Sequence, residues 1–287
     1  MGVALAFAAS IAWGVADFLG GLTSRRVPAL MVLAGQQITG LVIVVVVVAV
    51  VQASGPPGSA VLLAALSGVA QTVGMFAYYR ALATGAMGVV APISATGAVL
   101  PIVVGLAGGE DPTGLQAAGM LLAAAGVMAA AYQGGEADLG RAKTAVGVGM
   151  ALIAAVALGS FFLLLDRATN HADLTWVVLV NRFGAVATLT VVALGLRKQL
   201  AADSRRLRGW RRTDPLLIVA IGSLGVSATF LFASATTHGL LSAVSVIGSL
   251  YPVTTVLIAR VVLKERLRVA QRLGAAGALA GIALISV

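Results

Sequence analysis

The chain has 287 residues, 60% of them hydrophobic and 10% charged, with a formal net charge of +9. Soluble domains carry roughly one quarter charged residues, and a soluble fold of this length cannot hide so much apolar surface. The composition therefore excludes a soluble domain and marks an integral membrane protein, while the absence of cysteine excludes disulfides and thiolate chemistry.

A helix needs about 20 apolar residues to cross the hydrocarbon core, and lipid offers no partner to an unpaired backbone. These two constraints predict ten spans, at 2–22, 29–51, 59–83, 86–108, 113–132, 145–166, 174–196, 214–237, 241–262 and 268–287. Met1 to Leu22 lacks a basic leader and reads as a first span, not a cleaved signal. The breaks are turn-like, as at Ser54-Gly55-Pro56-Pro57-Gly58 and Gly108-Gly109-Glu110-Asp111-Pro112.

The basic residues sit between spans, which argues for orientation in a bilayer and against nucleic acid as a partner. Arg25, Arg26, Arg141, Lys143, the run Arg197 to Arg212, Lys264, Arg266 and Arg268 follow odd-numbered spans; Arg167 alone follows an even one. The positive-inside rule then places both termini outside. The run from Arg197 to Arg212, with Trp210, reads as an orientation anchor with an interfacial tryptophan; the competing reading is a site for anionic membrane lipid.

The chain repeats itself. Ala91, Ser94, Ala98 and Pro101 recur 151 residues later as Ser242, Ser245, Ser249 and Pro252. Glu110, Gln116, Gly119 and Gly126 recur at an offset of 155 as Glu265, Gln271, Gly274 and Gly281. Trp13-Gly14 aligns with Leu158-Gly159, and Gln36-Gln37 with Asn181-Arg182, both at 145. The expected fold is all-α and integral to the membrane, with ten transmembrane helices in two five-helix repeats, 1–133 and 145–287, and a linker at 134–144. An odd number of spans per repeat inverts the second repeat, which places a solute site near the midplane between them.

Ala12-Trp13-Gly14 with Phe18 resembles the opening of ten-helix transporters of the drug/metabolite transporter superfamily. Pro252, Leu263-Lys264-Glu265-Arg266-Leu267, Gln271 and Gly274 resemble the end of an EamA domain, and the resemblance covers nearly the whole chain as two such halves. The first half departs from the pattern at Gly109-Glu110-Asp111-Pro112, where a basic turn is usual. The resemblance implies a helical bundle with a central cavity that moves a small metabolite by alternating access, in many members by export of amino acids or other metabolites.

Ionisable or polar residues inside spans are costly unless paired or facing a cavity. Asp17, with Trp13 one turn before it, reads as a carboxylate that binds a proton or a cation, or as a helix-end acid paired with Arg25 or Arg26. Arg182, beside Asn181, reads as a clamp for a solute carboxylate or as half of a buried pair, with Asp17 one candidate partner. Gln37, ahead of Gln36, is the corresponding candidate in the first half. Gln71, Met75 and Tyr78 share a helix face suited to an apolar solute, while Tyr79 reads as an interfacial ring. The stripes Ser94/Pro101 and Ser242/Ser245/Ser249/Pro252 read as cavity wall, since small residues leave room and proline permits a kink; the competing reading is close helix packing.

Thr229, Thr236, Thr237 and His238 read as outer-surface groups. Glu110 and Glu265 read as structural, each complementing the dipole of the following helix, and the glycines Gly119, Gly126, Gly274, Gly277 and Gly281 as packing surfaces.

No nucleotide loop, metal cluster or nucleophile arrangement occurs in the sequence, so neither an enzyme nor a cofactor is expected. The expected protein is a secondary transporter in a bacterial plasma membrane that exports a small organic metabolite such as an amino acid, driven by the solute's own gradient or by protons as coupling ion, in a monomeric or homodimeric state. Sugar or nutrient uptake, and a non-transporting scaffold or sensor, are the competing readings.

Overall fold

The computed structural model describes residues 1–24, 27–52, 55, 58–84, 93–131, 141–195, 211–262 and 269–286. All regular elements among them are helical. In chain order they are α1 (Gly2–Ser24), α2 (Ala29–Val51), α3 (Gly58–Thr84), a 3-10 turn (Thr96–Ala98) leading into α4 (Val99–Ala107), α5 (Gly114–Ala131), α6 (Arg141–Thr169), α7 (Leu174–Gly195), α8 (Asp214–Thr236), α9 (Leu241–Gly248), α10 (Tyr251–Val262) and α11 (Val269–Ile285). Six helices are long and apolar enough to span, and four shorter apolar helices complete the expected ten. The helix α6 begins at Arg141, inside the stretch expected to be linker.

Two of the spans are broken at corresponding places. The 3-10 turn at Thr96–Ala98 precedes Pro101, and the break between α9 and α10 precedes Pro252. Proline has no N–H to give the carbonyl four residues earlier, here Gly97 and Gly248, and its ring crowds that carbonyl. Both prolines thus open the helix one turn upstream, at repeat-equivalent positions.

The burial pattern is the inverse of a soluble protein's. Val42, Val46, Val50, Leu62, Leu121, Val156, Val191 and Leu216 are exposed, whereas Ser67, Asn181, Arg182, Thr229, Ser242 and Ser245 are at most 1% exposed. Lipid solvates large aliphatic groups at no cost. Polar groups must therefore find partners inside, and small ones let helices approach closely.

The two halves interlock. The largest helix pairing joins α3 to α6, followed by α5 to α11 and α1 to α8, then α3 to α7 and α2 to α8. All of them cross between halves; α3–α6 and α1–α8 are repeat images of each other, as are α3–α7 and α2–α8. The pairings α5–α11 and α2–α7 are their own images, so they lie on a pseudo-two-fold axis. At α5–α11, a Cβ on Gly119 would meet the Gly281 carbonyl at 2.8 Å, and one on Gly126 would meet the Gly274 carbonyl at 2.7 Å. Those contacts map onto one another under the repeat, and only glycine permits them.

Candidate functional site

A cavity with about 60 Å³ of free volume opens at the meeting of α1, α2, α3, α6, the residues just before α4, and the α9–α10 break. Of the expected site residues, Trp13, Asp17, Gln37, Gln71, Ser94 and Ser249 line it. Gln36, Met75, Leu158, Phe161, Phe162 and Tyr251 complete most of the wall. The α2 helix contributes three residues, Leu33, Gln36 and Gln37, and α8 contributes none. The volume holds a few waters and falls short of the ~300 Å³ at which ligand pockets begin.

One wall is aromatic. The Trp13 indole lies 6.0, 5.9 and 5.6 Å from the rings of Phe161, Phe162 and Phe232, and Phe162 stacks on Phe232 at 4.6 Å. The phenylalanines went unremarked in the sequence, although the repeat offers a signal. At the offset of 145, Phe161 and Phe162 are the counterparts of Ala16 and Asp17. The repeat thus faces an acid in one half with a ring in the other.

Asp17 lines the same cavity one turn after Trp13 on α1, and is half-buried. Tyr78, Tyr79 and Tyr251 lie near enough for its charge to act on all three phenols. Three of the chain's four tyrosines therefore gather around one carboxylate. Tyr79, read from sequence as an interfacial ring, belongs to this cluster, with its ring centroid 5.9 Å from that of Tyr78. Arg25 and Arg26, the alternative partners for Asp17, lie outside the described residues.

Arg182 does not pair with Asp17. It is 1% exposed and donates through one Nη to Gln37 Oε1 and through the other to Thr229 Oγ1, both at 2.6 Å, while its Nε has no partner among the described residues. Thr229, expected at the outer surface, is fully buried and passes its own proton to the Gly225 carbonyl at 2.9 Å. Asn181 turns away from the cavity and donates to Ser67 Oγ at 2.8 Å. Gln37 and Arg182 are repeat equivalents, so their bond sits on the pseudo-two-fold axis. A lone arginine at the centre of a spanning helix costs about 2.5–3.5 kcal/mol on insertion scales. No carboxylate bonds to it among the described residues.

The remaining expected site residues do not line this cavity. Ser242 and Ser245 are buried on α9, and neither hydroxyl has a partner among the described residues. Pro101 and Pro252 act through the helix breaks, and Tyr78 stands behind the wall beside Asp17.

Glu110 corrects an expectation about capping. The following helix, α5, is capped by its own box: the Thr113 amide donates to Gln116 Oε1 at 3.1 Å, and the Gln116 amide to Thr113 Oγ1 at 3.2 Å. The Glu110 carboxylate instead crosses to the second half. It accepts from the backbone amides of Leu241 (2.6 Å) and Ser242 (3.1 Å) at the start of α9. A Schellman turn aims it there. Gly109 takes φ +95°, its amide donates to Leu106, and the Glu110 amide donates to Gly105.

The sequence model of the EamA-like transporter family matches residues 1–132 and 145–287, one copy on each interlocked half. The chain belongs to this family. No curated protein matches the chain. Solved structures share the fold of this EamA-like transporter. One, described only as the crystal structure of a protein, superposes with a TM-score of 0.75 at 17% identity, covering 99% of this chain and 95% of its own. The family makes this a multi-pass membrane transporter protein of the drug/metabolite type, with a small-molecule solute and a lipid setting.

Proposed function

We propose that this transporter moves a small organic metabolite outward across a bacterial plasma membrane by alternating access, with Asp17 as the group that exchanges a proton or a solute cation. The observation that carries the reading is the placement of Asp17. It is an acid inside a span that faces a cavity, with Tyr78, Tyr79 and Tyr251 within reach of its charge and an aromatic wall in the same cavity. Intramembrane ionisable groups on a cavity mark solute or proton pathways, and cavities between inverted repeats are where such transporters hold their cargo.

The present cavity is too small for a metabolite, so rocking of the interlocked halves must widen it on one side at a time. Phenols beside the carboxylate favour a cationic or hydrogen-bond-donating group on the solute, and the Trp13–Phe161–Phe162 wall favours an apolar body. The test is counterflow in proteoliposomes with a panel of radiolabelled amines, amino acids and sugars. Saturable exchange of at least one solute is expected, and none across the panel would leave a non-transporting scaffold as the better account.

A further inference from the structure

Beyond the acid, the cavity has a second pole. Arginine carries no hydrogen-bond acceptor, so Gln37 can meet Arg182 only through its carbonyl oxygen, as it does at 2.6 Å. Gln37 also lines the cavity, and with its oxygen already accepting from Arg182, its two amide N–H donors are the groups it has most freely to offer there. Behind that amide stands a fixed positive charge, 1% exposed, with its Nε unpartnered and no carboxylate bonded to it among the described residues.

We propose that Arg182 is a positioning and specificity-determining residue: it holds Gln37 with its amide N–H groups toward the cavity and lends them positive charge, so that the solute places a carboxylate against Gln37. A neutral acceptor would satisfy the amide's hydrogen bond and leave the arginine uncompensated in a medium of low dielectric; an anion answers both. The location fits, since the Gln37–Arg182 bond lies on the pseudo-two-fold axis and so borders the same central site whichever side of the protein is open. The inference rests on the transport reading for the site's role as cargo site, but the carboxylate preference is measurable without transport.

The test uses purified full-length protein in detergent and three matched probes, phenylacetate, benzoate and hexanoate, each beside its primary amide. Binding is followed by protein fluorescence, with Trp13 in the wall as reporter, and by thermal melting. Each acid that binds is expected to do so at least tenfold more tightly than its amide. Arg182→Gln should erase that preference, with acid affinity falling about tenfold and amide affinity unchanged. Gln37→Glu guards against a folding defect, because it gives the arginine an internal counter-ion of the same shape; it should fold and melt no lower than the parent, yet lose the acid preference. No preference for any acid in the parent protein, or a preference that survives both substitutions, overturns the proposal. Exchange of a neutral or cationic solute without acid preference would overturn this inference and spare the transport reading. Acid-selective binding without any exchange would do the reverse.

Discussion

Asp17 and Arg182 pose the same energetic problem and solve it differently. Arg182 is buried behind Gln37 and Thr229, whereas Asp17 faces the cavity and has its phenols at hand. Only Asp17 is placed to take up and release a proton in contact with water. Asp17→Asn keeps the shape of the side chain and removes its charge. In proteoliposomes with an imposed pH gradient, the variant is expected to lose proton-driven accumulation of solute by at least tenfold while still exchanging solute between equal pH values. Accumulation that continues unchanged would remove Asp17 from coupling.

At this scale the sequence was half legible. Both residues stood out because charge inside an apolar span is expensive. Their surroundings did not, since Gln37, Thr229 and the tyrosines arrive from other spans, and nothing local encodes which helix faces meet.

Among the elements, lengths and breaks were the most readable features. A span must reach across the bilayer, so the ten predicted segments match the ten helical ones closely, and Pro101 and Pro252 announced where two of them open. Glu110 shows where that reading ends. Its place in the turn predicts that its carboxylate complements the following helix, but the helix it caps lies in the other half of the chain. The Schellman turn at Gly109 redirects it, and the Thr113–Gln116 box had already satisfied α5.

Glu110→Ala deletes a charged acceptor from two backbone amides, worth about 1.5–3 kcal/mol. It should lower the melting temperature in detergent. The bond also ties the α4–α5 turn to α9, so its loss should loosen that end of the bundle. The chain has no cysteine of its own, so Ser249→Cys on the cavity wall provides a clean reporter. A membrane-impermeant thiol reagent applied on the Glu110 side should label it several-fold faster in the Glu110→Ala background. Equal rates would mean that Glu110 only stabilises.

For the whole molecule, the family architecture was visible in the repeats, but the interlocking of the halves was not. Repeat offsets report that two segments share a pattern; they do not report that α3 prefers α6 to its neighbours in its own half. The expected orientation rests on charge alone. Asp111 stands in the turn after α4 and Arg212 just before α8, at opposite ends of the bundle by the count of spans. In intact cells, Asp111→Cys is expected to react with an impermeant reagent from outside and Arg212→Cys only after permeabilisation. The opposite pattern would invert the topology.

The glycine crossing of α5 and α11 carries a consequence for motion. A transporter that alternates between two faces exchanges the roles of its halves, so a contact that is unlike its repeat image must break or remake in each cycle. The crossing at Gly119–Gly281 and Gly126–Gly274 is its own image and looks the same before and after the exchange. Under the proposed alternating-access cycle it would serve as a fulcrum for α1, α3, α6 and α8. A covalent staple between α5 and α11 should leave solute exchange near the parent rate, whereas one between α1 and α8 should arrest it.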